Sequence, residues 1–351
     1  MANVTYLIGA GASAGKRDRE GAILEGLPCV NEISKSIKDI VYLIDTTPIP
    51  TDLAWTDTCI GLNSITDWES ARQKLLKSFK YLYFQCEQHA TIDTYAKKLV
   101  LKKRTEELKY IEKLLTLFFI YIQMQNQIDS RYDTFLANIL EPNLHFPSHI
   151  RVLSWNYDSQ FELAYFGYDE INDLTIGHKN SICDKDYEII KLNGTATFAE
   201  QKRIIELRKD IKQKLQKIKD DIDGSPYMRK QETWLLEFVY LFQLHVFGKT
   251  DNTHLSFAFD DIASSVNLTN CVDNIIKRTD VLVIIGYTFP FFNRQIDRQI
   301  LQCIKPNTKI YIQDLNPERI KQSLMAVLPD FPEEQIFLRK DVDQFFLPPE
   351  L

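Results

Sequence analysis

An α/β fold, in which a Rossmann-like parallel sheet carries two mostly helical insertions, is predicted by three observations. Short apolar segments rich in β-formers recur at Val4 to Ile8, Ile150 to Leu153, Tyr187 to Leu192, Val281 to Ile285, Thr308 to Ile312 and Gln335 to Leu338. Most of them run into turn or polar residues and then into helical stretches, which is the order of βα units in a parallel sheet. The segment VLVII at 281–285 has no polar alternation, as a central strand covered on both faces requires.

In chain order, the strand at 4–8 feeds a glycine-rich loop, and residues 31–45 read as a helix capped at Asn31. Residues 66–141 carry few strand signals, and Leu108, Ile111, Leu115, Phe118, Phe119 and Ile122 recur there at helical spacing. In the second helical region, 199–247, Ile204, Leu207, Ile211, Leu215, Ile218 and Ile222 recur at spacings of three and four among crowded Lys and Arg. That narrow stripe belongs either to a solvated helix packed on its neighbour or to an arm that meets a partner chain. The sheet is therefore assigned to 1–45, 150–195 and 275–345, with insertions at 46–149 and 196–274.

Composition limits the function. The 351 residues, 44% of them hydrophobic, suffice for a substantial core. A net charge of -6 argues against a general basic surface for nucleic acid, which leaves only indirect contact with it. The six cysteines (29, 59, 86, 183, 271 and 303) form no CxxC pair, and read as buried thiols in a reducing compartment. No charged segment precedes an apolar stretch at the N-terminus, and the longest apolar run, Leu114 to Ile122, is far short of the ~20 residues a membrane span needs. A cytoplasmic, soluble protein with no membrane partner is expected.

The first loop carries the first chemical signal. Gly9, Gly11 and Ala14 fit G-x-G-x-x-A after a strand, a pattern that lets backbone approach a pyrophosphate; the alternative is a tight turn that holds no ligand. A dinucleotide-binding dehydrogenase would start a helix at once and place a ribose-binding acid ~20 residues on. Here the loop runs into Lys16-Arg17-Asp18-Arg19-Glu20-Gly21, and Asp45 falls within the helical stretch, so plain hydride transfer is the weaker account. After the strand at 150–153 comes Ser154-Trp155-Asn156-Tyr157-Asp158, in which Asn156 and Asp158 alternate and share a side of an extended tip. Helix capping by Asp158 and a turn at Asn156 are the alternative roles, and are compatible with ligand contact. The segments IIKLNGTA, VLVIIGYTFPFFN and KIYIQDLNPE each end a strand in Gly, Asn or Asp.

In this order GAGAS, the loop reaching Gly26-Leu27-Pro28, WNYD, KLNG, IGYTFP with Asn293, and Asp314-Leu315-Asn316-Pro317 resemble the sirtuin-like NAD-binding domains of bacterial antiphage defence proteins. Thr91 to Leu99 also resembles a segment of that group. The resemblance implies a sirtuin-like sheet and NAD as substrate, with Gly9, Ala10, Gly11, Ser13, Pro28, Gly286, Tyr287, Asn293, Asp314 and Asn316 binding it, Asp314 and Asn316 at the adenosine ribose. It implies catalytic roles for Asn156, Asp158 and Asn193. The missing CxxC pairs point to the zinc-less branch that hydrolyses NAD to nicotinamide and ADP-ribose. An activity so toxic implies gating by homo-oligomer assembly or by a co-encoded partner, an ATPase or a nucleotide-sensing subunit.

One departure bears on mechanism. Leu192-Asn193-Gly194 stands where sirtuins usually read leucine-histidine-glycine, and an amide cannot take up a proton at neutral pH. The chain is then a variant that cleaves NAD without that base, a domain that only binds the nucleotide, or a deliberately inactivated form. Cleavage without the base is chemically viable, because nicotinamide departs as a neutral molecule and needs no general acid. A carboxylate, Asp158, can stabilise the positive sugar left behind, while Asn156 and Asn193 hold ribose hydroxyls and water. His178 is either a substitute base or a loop histidine without a role. His145 and His149 lack a third ligand at metal-site spacing, so no zinc is expected. A bulky residue at Gly11 is expected to remove nucleotide binding with the fold retained.

Overall fold

The computed structural model describes residues 1–49, 67–168, 174–177, 186–197, 226–247, 253–257, 259 and 266–351. Its contacts divide the chain into two compact units, one of 1–29, 126–195 and 256–351, the other of 30–125 and 196–255.

The first unit holds a seven-stranded, all-parallel sheet, as the sequence predicts. Its strands are β1 (Val4–Ile8), β2 (Ile150–Ser154), β3 (Ile176–Gly177), β4 (Ile189–Lys191), β5 (Val281–Ile285), β6 (Lys309–Gln313) and β7 (Ile336–Arg339), in the order β3-β4-β2-β1-β5-β6-β7. Side chains alternate along β1. Val4, Tyr6 and Ile8 join one apolar cluster with Tyr132, Phe135 and Phe161, while Leu7 joins another with Leu282, Ile300 and Leu324. Both faces are therefore covered, which is why the central strands read as continuous apolar runs.

The second unit is helical. Its described helices are α1 (Ile33–Thr46), α2 (Trp68–Gln88), α3 (Ile92–Leu101), α4 (Thr105–Gln125) and α7 (Pro226–Phe242). Phe79, Phe118, Tyr121 and Phe238 are buried in it, with the Tyr121 and Phe238 rings 4.3 Å apart. Thr91 caps α3 by accepting from the Thr94 amide at 3.2 Å.

Boundaries differ from the sequence-based assignment at three internal places, 30–45, 126–149 and 256–274, the last of which was expected in the second insertion and falls in the sheet unit. Helix α1, expected with the sheet, groups with the helical unit because Ile33, Ile37, Ile40 and Ile44 bury along α2, where Lys80 pairs with Asp45 at 3.1 Å. Helix α5 (Ser130–Ile139), expected in the insertion, groups with the sheet because Tyr132, Phe135 and Leu136 pack into its core. Asn31 does not cap α1: residues 30–32 make a 3-10 turn and the helix begins after Glu32. The sheet unit also contains α6 (Gln160–Phe166), α8 (Val266–Arg278), α9 (Arg294–Leu301) and α10 (Pro317–Val327). No helix among the described residues is long and apolar enough to cross a membrane. The charged helix expected at 200–223 lies outside the described residues.

Candidate functional site

Register aligns the candidate residues along one edge. Ile8 pairs with Ser154 and with Ile285, and Ser154 pairs with Lys191, so β1, β2, β4 and β5 end level. Gly9, Trp155-Asn156, Leu192-Asn193 and Gly286-Tyr287 follow side by side at the carboxyl edge of the sheet. The chain leaves β1 for strands on one side and β5 for strands on the other. The loops after these two strands thus flank the switch point where open α/β sheets bind ligands.

The glycines are explained first by packing. The Gly11 amide donates to the Gly286 carbonyl at 3.0 Å. A Cβ at Gly9 would lie 2.7 Å from the Gly286 oxygen, and one at Gly11 would lie 2.7 Å from the Gly286 Cα. Only glycine lets these two loops touch backbone to backbone. Instead of a helix, a 3-10 turn (Ala10–Ser13) follows, and Leu27 returns to donate its amide to the Ser13 carbonyl at 2.7 Å, with Pro28 buried beside it. The amides of Gly9, Gly11, Ala12, Ala14 and Gly15 all donate within the protein. The charged stretch after the turn is also used, since Arg17 holds the carbonyls of Ala14 and Leu27.

Asn156 and Asp158 do share a side, and they converge on Ser13. Ser13 donates its hydroxyl to Asp158 Oδ1 at 3.1 Å, and accepts from Asn156 Nδ2 at 3.0 Å and from the Tyr132 hydroxyl at 2.9 Å. Burial beside Asp158 holds the Tyr132 hydroxyl well above its ordinary pKa, so it stays a donor. Asp158 Oδ1 also accepts the Gln160 amide at 3.0 Å, but Ser159 is the cap residue of α6, so Asp158 stands one residue ahead of the cap expected of it. Asn193 Nδ2 donates to the Trp155 carbonyl at 3.2 Å, and its buried Oδ1 makes no hydrogen bond among the described residues.

Several supporting residues escaped the sequence reading. Arg131 forks onto Asp129, Nη2 to Oδ2 at 2.6 Å, and donates to the Gly11 carbonyl at 2.9 Å, while Asp129 accepts the Gly15 amide at 2.7 Å. Gln160 Nε2 donates to the Ser13 carbonyl at 3.0 Å. The sequence signal is slight: Asp129 opens a helix, but nothing in the local pattern says that Arg131 turns inward.

On the β5 side, Tyr287 stacks on Trp155, the rings 5.5 Å apart and 11° from parallel. Its hydroxyl donates to Asp297 Oδ1 at 2.8 Å and accepts from Asn293 Nδ2 at 3.1 Å. Asp297 was not foreseen, although the spacing of Ile296, Ile300 and Leu301 sets it on the apolar side of α9. It is 1% exposed, and burial pushes its carboxyl up to about 8. Between the ordinary carboxylate range and that value the folded chain keeps a proton that the unfolded chain has released. Stability therefore falls as pH rises through this window, by ~1.4 kcal/mol per pH unit. In Asp297→Asn, which cannot ionise, urea midpoints measured from pH 5 to 8.5 are expected to fall less steeply than in the wild type. Parallel curves would refute this assignment.

Asp314 and Asn316 do not join the network. Asp314 Oδ1 accepts the Asn316 amide at 2.8 Å, and the exposed Asn316 caps α10 by accepting from Arg319 at 3.4 Å. A turn and a cap account for both. His178 lies outside the described residues. Among the described residues no group of three His, Cys, Asp or Glu is placed to hold a metal ion. No protein-family model and no curated protein matches the chain.

Proposed function

We propose that the sheet unit binds NAD along its carboxyl edge and hydrolyses the bond between nicotinamide and ribose, as the sirtuin-like resemblance implies. The observation that carries this reading is the convergence of Asn156 and Asp158 on Ser13 of the glycine loop, beside Asn193 at the switch point. Five amides of the loop are committed internally, and Ala10, half-exposed at the start of the turn, is a position from which backbone can face a phosphate. The bond to the ribose breaks with its electron pair passing to the ring nitrogen, which was cationic and becomes neutral. Water adds its oxygen to the sugar carbon and releases a proton to solvent. Asp158 supplies negative charge where positive charge develops, and Asn156 and Asn193 supply hydrogen bonds that orient hydroxyls and water.

A second reading, binding of NAD or ADP-ribose without cleavage in a sensor or scaffold subunit, is favoured by Asn193, whose amide takes up no proton. The resemblance further proposes antiphage defence by NAD depletion, gated by assembly or by a co-encoded partner. Nicotinamide release from NAD by the purified chain, alone and with the proteins encoded beside it, separates the readings. Release supports hydrolysis. ADP-ribose binding by calorimetry without release in any assembly leaves the binding module, and neither result leaves no nucleotide site.

A further inference from the structure

We infer that Lys191 is a positioning residue that fixes the Asn156–Asp158 segment from beneath, through the backbone carbonyl of Asp158; its relevance to turnover rests on the reading of that segment proposed above. Lys191 ends β4 and is 2% exposed. A fully buried ammonium beside Ile189 and Ile190 in a parallel strand is costly unless it is paired and hydrogen-bonded. Its Nζ donates to the Asp158 carbonyl at 2.5 Å and lies 3.2 Å from Glu162 Oε1. Among the described residues neither Glu162 oxygen meets strict hydrogen-bond geometry, although Lys191 and the Glu162 amide stand close enough to favour the carboxylate; the well-directed bond of the ammonium is the one to Asp158. Burial raises the Glu162 carboxyl, opposed by the attraction of Lys191.

Stability alone does not explain the pair, because replacing a buried ion pair by apolar residues of similar volume is often neutral or stabilising. Geometry does. The Asp158 carbonyl precedes Ser159, the cap residue of α6, and so lies ahead of the helix and its ladder of bonds. Lys191 gives it a donor from the strand that, two residues later, also presents Asn193. Ser154, Asn156, Asp158, Glu162 and Lys191 line a narrow crevice behind the segment, too small to admit a water molecule. Without this bond the Asp158 carbonyl loses the donor that ties it to β4, and the segment is held against Ser13 from one side only.

The test is the double variant Lys191→Met with Glu162→Gln, which removes both charges while keeping side-chain length. It is expected to fold and to bind ADP-ribose with wild-type affinity. Amide hydrogen exchange at Asn156 and Gln160 should accelerate at least ~10-fold, and kcat for nicotinamide release should fall by about 10²-fold with KM unchanged, as for a misplaced catalytic group. Glu162→Gln alone keeps the carbonyl bond and should keep both exchange and kcat near the wild type. Unchanged exchange in the folded double variant overturns the inference, and so does accelerated exchange in Glu162→Gln, which would assign the hold to the ion pair. Because exchange is read without turnover, a wild-type chain that releases no nicotinamide sinks the hydrolase reading while the exchange result still decides the role of Lys191.

Discussion

Gly286→Ala is expected to destabilise the sheet unit by about 3 kcal/mol or more, from left-handed backbone strain and overpacking combined. Gly286 has φ +59°, and a Cβ there would stand 2.4 Å from the Gly11 Cα and 2.5 Å from the Ala12 amide nitrogen. Both obstacles are backbone, so no side-chain rotation relieves them. The loops after β1 and β5 must separate, which breaks the bond from Gly11 to the Gly286 carbonyl. Gly11→Val meets the same wall from the other side, so the expectation that it would spare the fold is corrected: stability is expected to fall, and with it the nucleotide binding proposed for this loop. Urea denaturation of both variants checks this, and a midpoint within error of the wild type for Gly286→Ala would show that the contact is slack.

The same contact shows what the sequence carries and what it does not. Five-residue apolar runs such as VLVII announce buried strands, and six of the seven strands were legible within two residues. The two-residue β3, Ile176–Gly177, is too short to carry a pattern. The glycines at 9 and 11 were visible, but their partner, Gly286, comes from the far end of the chain, and no local spacing reveals that approach. Asn156 and Asp158 do share a side, but not through strand alternation: β2 ends at Ser154 and the chain bends at 157–158, so their convergence comes from the loop. That they meet at Ser13 depends on β1 lying beside β2. Lys191 and Asp297 were hidden for the opposite reason: each is a charged residue type inside an apolar element, and only burial shows that it faces inward. Asp314 and Asn316, the ribose contacts that the resemblance implies, also make a turn and a cap, roles that their local sequence explains by itself.

Asp158→Asn is expected to lower nicotinamide release by ~10²–10³-fold, the loss typical of removing one preorganised electrostatic group. Alanine would also remove the acceptor that holds Ser13 and the Gln160 amide, and so would confound charge with support. Asparagine keeps an oxygen for both donors and deletes only the charge, so ADP-ribose affinity and fold should survive. The companion variant is Asn193→His. If the chain lacked only a base, histidine should raise turnover by the ~10²–10⁴-fold that a positioned general base supplies. Asn193 is instead tied into the site through its bond to the Trp155 carbonyl, beside the network of Asn156, Asp158 and Ser13. Asn193→His is therefore expected to gain little. Both variants are assayed in assembled, partner-bound protein as well as alone, since the gating proposed above would silence a monomer. Wild-type kcat in Asp158→Asn would remove the charge from the mechanism, and a large gain in Asn193→His would mean that the natural site awaits a base.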